Sequence, residues 1–206
     1  MPRVVDVEQR KAELTAAAAR VIARAGIEAA TMREVAIEAG WTTGVLTHYF
    51  ADKRELLLAT FRASLAHRRS LRPARGTSPA SVQLRASLEG ALPLDDDRRR
   101  HWLVTLACCT QASGDDLLAA AQRDAYREFR DHIAGLLRAM GVLADGADVR
   151  AEAESLIAGV DGIAIQALFD PASWPAKRQV GALNRLLRRS FDADAFTDST
   201  LTGVIH

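Results

Sequence analysis

The chain has 206 residues, which suits one large domain or a small domain joined to a medium one. Its composition, 49% hydrophobic and 26% charged, is typical of a globular protein in water. No apolar run approaches the roughly 20 residues that cross a bilayer. The first residues carry charges without an apolar segment or a small-residue cleavage site. We therefore expect no signal peptide and a cytoplasmic protein.

The net charge of +1 is unevenly distributed along the chain. Residues 1–75 hold 13 Lys/Arg and 8 Asp/Glu, whereas residues 76–206 hold 14 and 18. A basic N-terminal third suits a surface that faces phosphate groups. Because many surfaces differ this much, the asymmetry needs support from motifs.

Helix signals follow one another from the N-terminus. The first predicted helix runs from about Val7 to Ala25 and ends at Gly26. The next three predicted helices each begin at a residue whose side chain can cap them. Met32–Ala39 is opened by Thr31, with Glu34 at capping-box spacing, and Thr43 to about Phe50 is opened by Thr42. The fourth helix runs from Asp52 to about Arg69, with Asp52 and Glu55 again at capping-box spacing. The stretch from Leu71 to Pro79 is a predicted loop.

Five further helices are predicted beyond that loop, near residues 81–91, 95–112, 115–140, 147–169 and 175–191. No stretch alternates with period two for long enough to predict a strand. The fold class is therefore all-α with about nine helices. The residues from 192 to 206 are predicted to be a loose tail.

Residues 31–58 read TMREVAIEAGWTTGVLTHYFADKRELLL and predict two short helices joined by a tight turn at Gly40. This is the helix-turn-helix arrangement, whose second helix enters the major groove of DNA. The apolar positions predicted to face inward are Val35, Ala36, Ala39, Leu46 and Phe50. The small or hydrogen-bonding positions predicted to face bases are Thr42, Thr43, Gly44, Thr47 and His48.

Four further residues are candidates for contact with DNA, the first of them Thr31 at the start of the second helix. Tyr49 and Lys53 lie where one helix ends and the next begins, so each can hold a phosphate. Lys53 opposes the helix dipole at that position, which favours an external anion. Arg33 can read a guanine or contact phosphate. The alternatives are a half-buried core ring for Tyr49 and solvated surface side chains for Lys53 and Arg33.

Residues 31–58 resemble the helix-turn-helix of the TetR family of transcriptional regulators. The matching positions are Thr31, Gly40, Thr43, Gly44, Leu46, His48-Tyr49-Phe50, Lys53 and Leu56–Leu58. The run TGVLTHYFADKRELL is most similar to the branch that includes the choline-responsive regulator BetI, and VDGIAIQALFDP at 160–171 resembles it more loosely. Trp41 departs from the usual Val in the turn; it is expected to pack against the second helix, with base contact as the alternative.

The resemblance implies a homodimer formed by the last two helices, a pseudo-palindromic operator in double-stranded DNA and a ligand cavity in the C-terminal bundle. It divides the chain into a helix-turn-helix domain (1–51), a ligand-sensing and dimerisation domain (52–191) and the tail. The function it implies is that of a repressor released from DNA by a small molecule, nucleoid-associated when bound. Low aromatic content gives no cage for a quaternary ammonium ligand, so choline is not carried over.

Candidate residues for these roles come from the C-terminal patterns. The dimer interface is predicted to use Ile157, Val160, Ala164, Leu168, Gly181, Leu183 and Leu187, with small residues allowing close helix approach. The ligand candidates are Phe61, Leu65, Trp102, Leu106, Tyr126 and Asp161. Trp102, Leu106 and Tyr126 lie on helix faces that are more often core than cavity lining. Asp161 and Gln166 need polar partners, either within a dimer interface or on a ligand.

Other functions find little support in the sequence. No nucleophile–base pairing motif, phosphate-binding glycine loop or metal-ligand spacing is present, so we expect no enzyme, no cofactor and no metal. The adjacent Cys108 and Cys109 are poor disulfide partners and are predicted to be buried core thiols. A helical interaction module without a DNA role is the remaining alternative. The sequence leaves open the ligand, the operator and whether the chain represses or activates.

Overall fold

The computed structural model describes residues 7–74, 76, 78–143 and 146–191. Within them lie nine α-helices and no strand, so the predicted all-α fold is confirmed. The helices are α1 Val7–Ala25, α2 Met32–Ala39, α3 Thr43–Tyr49, α4 Lys53–Ser70, α5 Ala80–Gly90, α6 Asp96–Gln111, α7 Asp116–Met140, α8 Val149–Phe169 and α9 Ala176–Ser190. Each lies within two residues of its prediction. The predicted tail, 192–206, falls outside the described residues.

The described chain forms two compact units. Unit 1 holds residues 7–67 together with 97–123, and unit 2 holds residues 68–96 together with 124–191. These compact units are divided elsewhere than at residue 51, because most of α4 and α6 belongs with the first three helices. The division by function at residue 51 stays a prediction. None of the described helices is long and apolar enough to cross a membrane.

Unit 1 is built around one apolar cluster to which α1, α2, α3, α4 and α6 contribute. Its largest fully buried side chains are Leu14, Leu46, Leu56 and Phe61. Truncating such a leucine to alanine costs about 2–5 kcal/mol, because a cavity is left behind. Leu46 is wholly buried although α3 has only seven residues. This single anchor therefore fixes which side of α3 faces solvent.

Unit 2 is organised by the packing of α8 on α9. The buried side chains of the two helices include Leu156, Ile157, Val160, Ala164, Leu168, Leu183 and Leu187. At Gly159 a Cβ atom would stand 2.6 Å from a methyl group of Leu186, which real contacts do not allow. The glycine that permits close approach is thus Gly159, whereas a Cβ at Gly181 would meet only Arg185 Nη1 at 3.6 Å.

The two cysteines differ in environment. Cys108 is buried in the unit 1 cluster, and burial raises the pKa of its thiol to about 12. Cys109 is exposed, so the prediction of two buried thiols is wrong for this residue. Adjacent residues of a helix point about 100° apart, which places one side chain inward and the other outward.

Candidate nucleic-acid interface

The turn between α2 and α3 is fixed by caps that the sequence predicts. Thr31 Oγ1 accepts a hydrogen bond from Glu34 N at 3.1 Å, and Thr42 Oγ1 accepts one from Val45 N at 3.4 Å. Gly40 ends α2 in the left-handed region, with φ at 73°, where glycine carries no steric penalty. The entry angle of α3 is therefore determined by local chemistry.

Helix α2 is also tied to α1 by a charged clamp on the surface of unit 1. The Glu38 carboxylate accepts hydrogen bonds from Arg20 Nε at 2.7 Å and from Arg24 Nη1 at 3.0 Å. These two bonds hold the pKa of Glu38 below its usual range. The clamp therefore joins α1 to α2, the helix against which α3 packs.

The inward and outward positions of the helix-turn-helix follow the sequence prediction. Val35, Ala36, Leu46 and Phe50 are buried, and Ala39 packs partly buried against the same cluster. The outward set is exposed: Thr31, Arg33, Thr42, Thr43, Gly44, Thr47 and His48. Among these, Thr47 Oγ1 donates to Gly44 O at 3.1 Å, which leaves its methyl group and oxygen lone pairs available.

No contact within unit 1 requires a glycine at position 44. A Cβ atom built there would meet only Thr42 Oγ1, at 3.8 Å, an ordinary van der Waals distance. Its backbone is helical, a conformation that alanine adopts more favourably by about 0.5–1 kcal/mol. Nothing inside the described chain therefore explains glycine at this exposed position.

A cleft of about 620 Å³ runs beside the recognition helix. It is lined by Arg10, Trp41, Thr42, Gly44, Val45, His48 and Tyr49. The Arg10 guanidinium lies 4.4 Å from the centre of the Trp41 ring and bonds Glu13 at 2.7 Å. The sequence analysis missed Arg10, because its relation to Trp41 crosses from α1 to the turn and has no local signature.

Two aromatic residues, Trp41 and Tyr49, belong both to the cleft and to the unit 1 cluster. Trp41 and Tyr49 are partly buried and pack against the unit 1 cluster, yet both also line the cleft. The ring of Tyr49 meets His48 edge to face, with centroids 5.1 Å apart. The core alternative and the surface prediction for Tyr49 are therefore compatible.

Lys53 is the first residue of α4 and has partners inside unit 1. Its Nζ donates to Glu28 O at 3.3 Å and lies 3.9 Å from the Glu28 carboxylate. An ammonium group has three protons, so these contacts leave capacity for a phosphate. Asp52 caps the same helix as predicted, since Glu55 N donates to Asp52 Oδ1 at 2.8 Å. The Glu55 carboxylate accepts from Ala51 N at 2.7 Å, one residue before the Asp52 N–H that a capping box would use.

The six ligand candidates divide between the units. Phe61 and Trp102 are buried in unit 1, where Leu65 and Leu106 are partly buried. Unit 2 brings the other two together, since Tyr126 Oη donates to Asp161 Oδ2 at 2.6 Å. Burial raises the pKa of Asp161, while Tyr126 and Arg68 act in the opposite direction. Asp161 thus has a partner within its own protomer, and Gln166 is exposed and donates to Gly162 O at 3.4 Å.

The residues predicted for the dimer interface lie mostly inside one protomer. Six of the seven are buried: Ile157, Val160, Ala164, Leu168, Leu183 and Leu187. Gly181 is partly exposed. The outer face of α8 carries Ser155, Ala158, Gly162 and Phe169, and Phe169 is 74% exposed.

Helix α3 is capped at its start, anchored by one buried leucine and presents small polar groups to solvent. Together with α2 and the turn between them, these features define the class of helix-turn-helix DNA-binding proteins. Profile comparison places the chain more narrowly. Residues 14–60 match the family described as bacterial regulatory proteins, tetR family, and residues 80–192 match the BetI-type transcriptional repressor, C-terminal. The chain belongs to the TetR family, with a C-terminal region of the BetI type, and is a transcriptional regulator.

Individual relatives agree with this assignment. The chain is 31% identical to the transcriptional regulator PksA of Bacillus subtilis over 83% of its own length and 84% of the relative's. It is 27% identical to BetI of Vibrio campbellii, over 91% and 94%. The family and these relatives are transcriptional regulators and not enzymes, as the sequence predicts.

Solved structures show the same fold. A transcriptional regulator from Rhodococcus sp. Rha1 superposes with a TM-score of 0.75 at 29% identity, covering 89% of this chain and 98% of that one. A regulator from Saccharomonospora viridis solved in complex with choline gives a TM-score of 0.80 at 24% identity, with the same coverage. Regulators of this family bind operator DNA, act as dimers and bind small-molecule ligands.

Proposed function

We propose that this chain represses transcription as a homodimer that binds a pseudo-palindromic operator through α3 and leaves it when a small molecule binds. The observation that carries the DNA-binding step is Gly44, which is exposed and sterically open yet remains glycine. A DNA backbone or base edge lying against α3 supplies the missing reason, because a Cβ atom would keep it at a distance. Thr43, Thr47 and His48 would then read base edges, with Arg33, Tyr49 and Lys53 on flanking phosphates.

A dimer is part of this proposal because one α3 of seven residues offers few base contacts. Two recognition helices spaced by about one turn of DNA, roughly 34–36 Å, would match an operator with dyad symmetry. We place the interface on the outward faces of α8 and α9. Phe169 supports this placement, since a largely exposed phenylalanine gains from being covered.

Selection of bound fragments from a random DNA library, followed by footprinting, tests the DNA-binding step. We expect enriched sites with two related half-sites. The His48→Ala protein should lose preference for them, and an Arg138→Ala control, changed at an exposed position of α7 in unit 2, should behave as wild type. Enriched sites without dyad symmetry would contradict the dimeric arrangement, and absence of enrichment would contradict the function.

Release by a ligand is the second step of the proposal. Tyr126 and Asp161 support it as a polar anchor, because a carboxylate whose ionised form is disfavoured by burial gains from a cationic or hydrogen-bonding ligand. We propose that ligand binding is transmitted through α4, which begins at Lys53 and carries Phe61 in the unit 1 cluster. A tenfold loss of operator affinity corresponds to a coupling of about 1.4 kcal/mol.

A thermal-stability screen of small molecules, with choline included because a structural neighbour holds it, tests this step. Compounds that raise the melting temperature should also weaken operator binding, and the Tyr126→Phe variant should respond less. If every stabilising compound left operator affinity unchanged, ligand release would be contradicted while DNA binding would stand.

A further inference from the structure

A cluster of two histidines and one aspartate in unit 1 is not among the residues proposed to contact DNA. His67 lies near the end of α4, and Asp97 and His101 lie one turn apart near the start of α6. The metal-ligating atoms of the three side chains all lie within 4.8 Å of one another. His67 Nε2 is 3.1 Å from Asp97 Oδ2, and His101 Nε2 is 3.9 Å from Asp97 Oδ1. We propose that this cluster binds a divalent transition-metal ion of the Zn²⁺ type.

The distances suit such an ion. Around a tetrahedral centre with bonds of about 2.0–2.1 Å, ligand atoms stand about 3.4 Å apart. The two pairs measured above, at 3.1 and 3.9 Å, bracket this value. The imidazole rings are stacked with centroids 4.0 Å apart and planes inclined by 22°, and Nε2 of each ring lies within 3.9 Å of an Asp97 carboxylate oxygen. A modest rotation of the rings would converge their lone pairs on one ion.

A second residue orients one ligand. Ser64 is buried on α4, and its Oγ lies 3.0 Å from His101 Nδ1. If Nδ1 carries the proton and donates it to Ser64, Nε2 is left with the lone pair that a metal requires. Such outer partners typically fix the tautomer and ring orientation of a metal-binding histidine.

The chemistry of the ligands selects the class of ion. Two imidazoles favour zinc, nickel, copper or iron over magnesium and calcium, which prefer oxygen. Three protein ligands leave a fourth position for water, as in open zinc sites. The Asp97 side chain is 52% exposed, so an ion can enter from solvent. One group opposes binding, because Arg100 Nη1 lies 2.6 Å from Asp97 Oδ1 and competes for the carboxylate.

Calorimetric titration of the full-length, metal-free protein with ZnCl₂ tests the site. We expect one equivalent to bind, and His67→Gln, Asp97→Asn and His101→Gln each to weaken binding by at least about tenfold. Arg100→Gln should tighten binding, because it removes the competing cation. His132→Gln, a histidine of unit 2, and His206→Gln are matched controls that should bind as wild type. Melting curves without metal verify that each variant is folded.

A direct readout keeps the proposal testable if a variant fails to fold. Nitrogen NMR of the wild-type imidazoles should show Zn²⁺ shifting Nε2 of His67 and His101 together, and Co²⁺ should give visible absorption bands of a four-coordinate site. Zinc binding that persists in the His67→Gln/His101→Gln double variant would overturn the proposal. So would shifts confined to other histidines, or the absence of saturable binding, which would leave the cluster as a carboxylate–histidine ion pair only.

Discussion

Replacing Gly44 with alanine should raise the stability of the protein and lower its affinity for operator DNA. The added methyl group meets only Thr42 Oγ1, at 3.8 Å, so the folded state is not strained. Alanine should therefore stabilise the protein by about 0.5–1 kcal/mol. If DNA lies against this backbone, the same methyl group should cost about 1 kcal/mol at each recognition helix by overpacking. A dimer then loses about 2 kcal/mol, or about thirtyfold in operator affinity.

Gly135→Ala is the matched control for this variant. Gly135 is also exposed in a helix, α7, and a Cβ atom there would meet nothing within 4 Å. Both variants should gain similar stability in denaturant unfolding, and only Gly44→Ala should lose affinity in fluorescence anisotropy with labelled operator. Operator binding by Gly44→Ala at wild-type strength would refute the argument that DNA explains this glycine.

Three further predictions concern Lys53, Asp161 and the dimer. Lys53→Ala should weaken binding to all DNA sequences alike and flatten the salt dependence by about one unit, and an unchanged slope would remove Lys53 from the phosphate contacts. Burial raises the pKa of Asp161, so the contribution of this residue to stability is greatest at acid pH and is lost as the pH rises through its raised pKa. Asp161→Asn keeps an acceptor for Tyr126, so this variant should be more stable than wild type at pH 7–8. The difference in the free energy of unfolding should shrink on acidification, and a difference that grows would contradict this prediction. Phe169→Glu and Gly181→Glu should sediment as monomers, whereas Leu117→Glu, at an exposed apolar residue of unit 1, should remain dimeric; a dimeric Phe169→Glu protein would place the interface elsewhere.

Local signals explain what the sequence analysis predicted correctly. The caps at Thr31, Thr42 and Asp52 act over two to four residues, so their spacing is visible in the sequence and their hydrogen bonds form as expected. The inward positions of α2 and α3 follow from helical periodicity. The helix bounds and the outward set of the candidate DNA interface could therefore be predicted from the sequence alone.

The parts that were missed depend on contacts between distant segments. The interface residues on α8 and α9 stay a prediction. Their apolar pattern does not distinguish packing of the two helices on each other within one chain from packing between protomers. That distinction needs the fit of Leu186 over Gly159, a contact between residues 27 apart in sequence. The stacking of Arg10 on Trp41 and the approach of His67 to Asp97 and His101 likewise arise only when separate helices meet.

The caps of the helix-turn-helix have a consequence for how binding specificity can change. Gly40, Thr42 and Leu46 set the position of α3, whereas Thr43 and His48 face outward and hold none of these supports. Under the proposed mode of binding, placement and sequence reading belong to different side chains of the same short segment. A lineage would then exchange residues 43 and 48 to recognise a new operator while the helix stays where it is. Regulators that share this scaffold can therefore diverge in their target genes through very few substitutions.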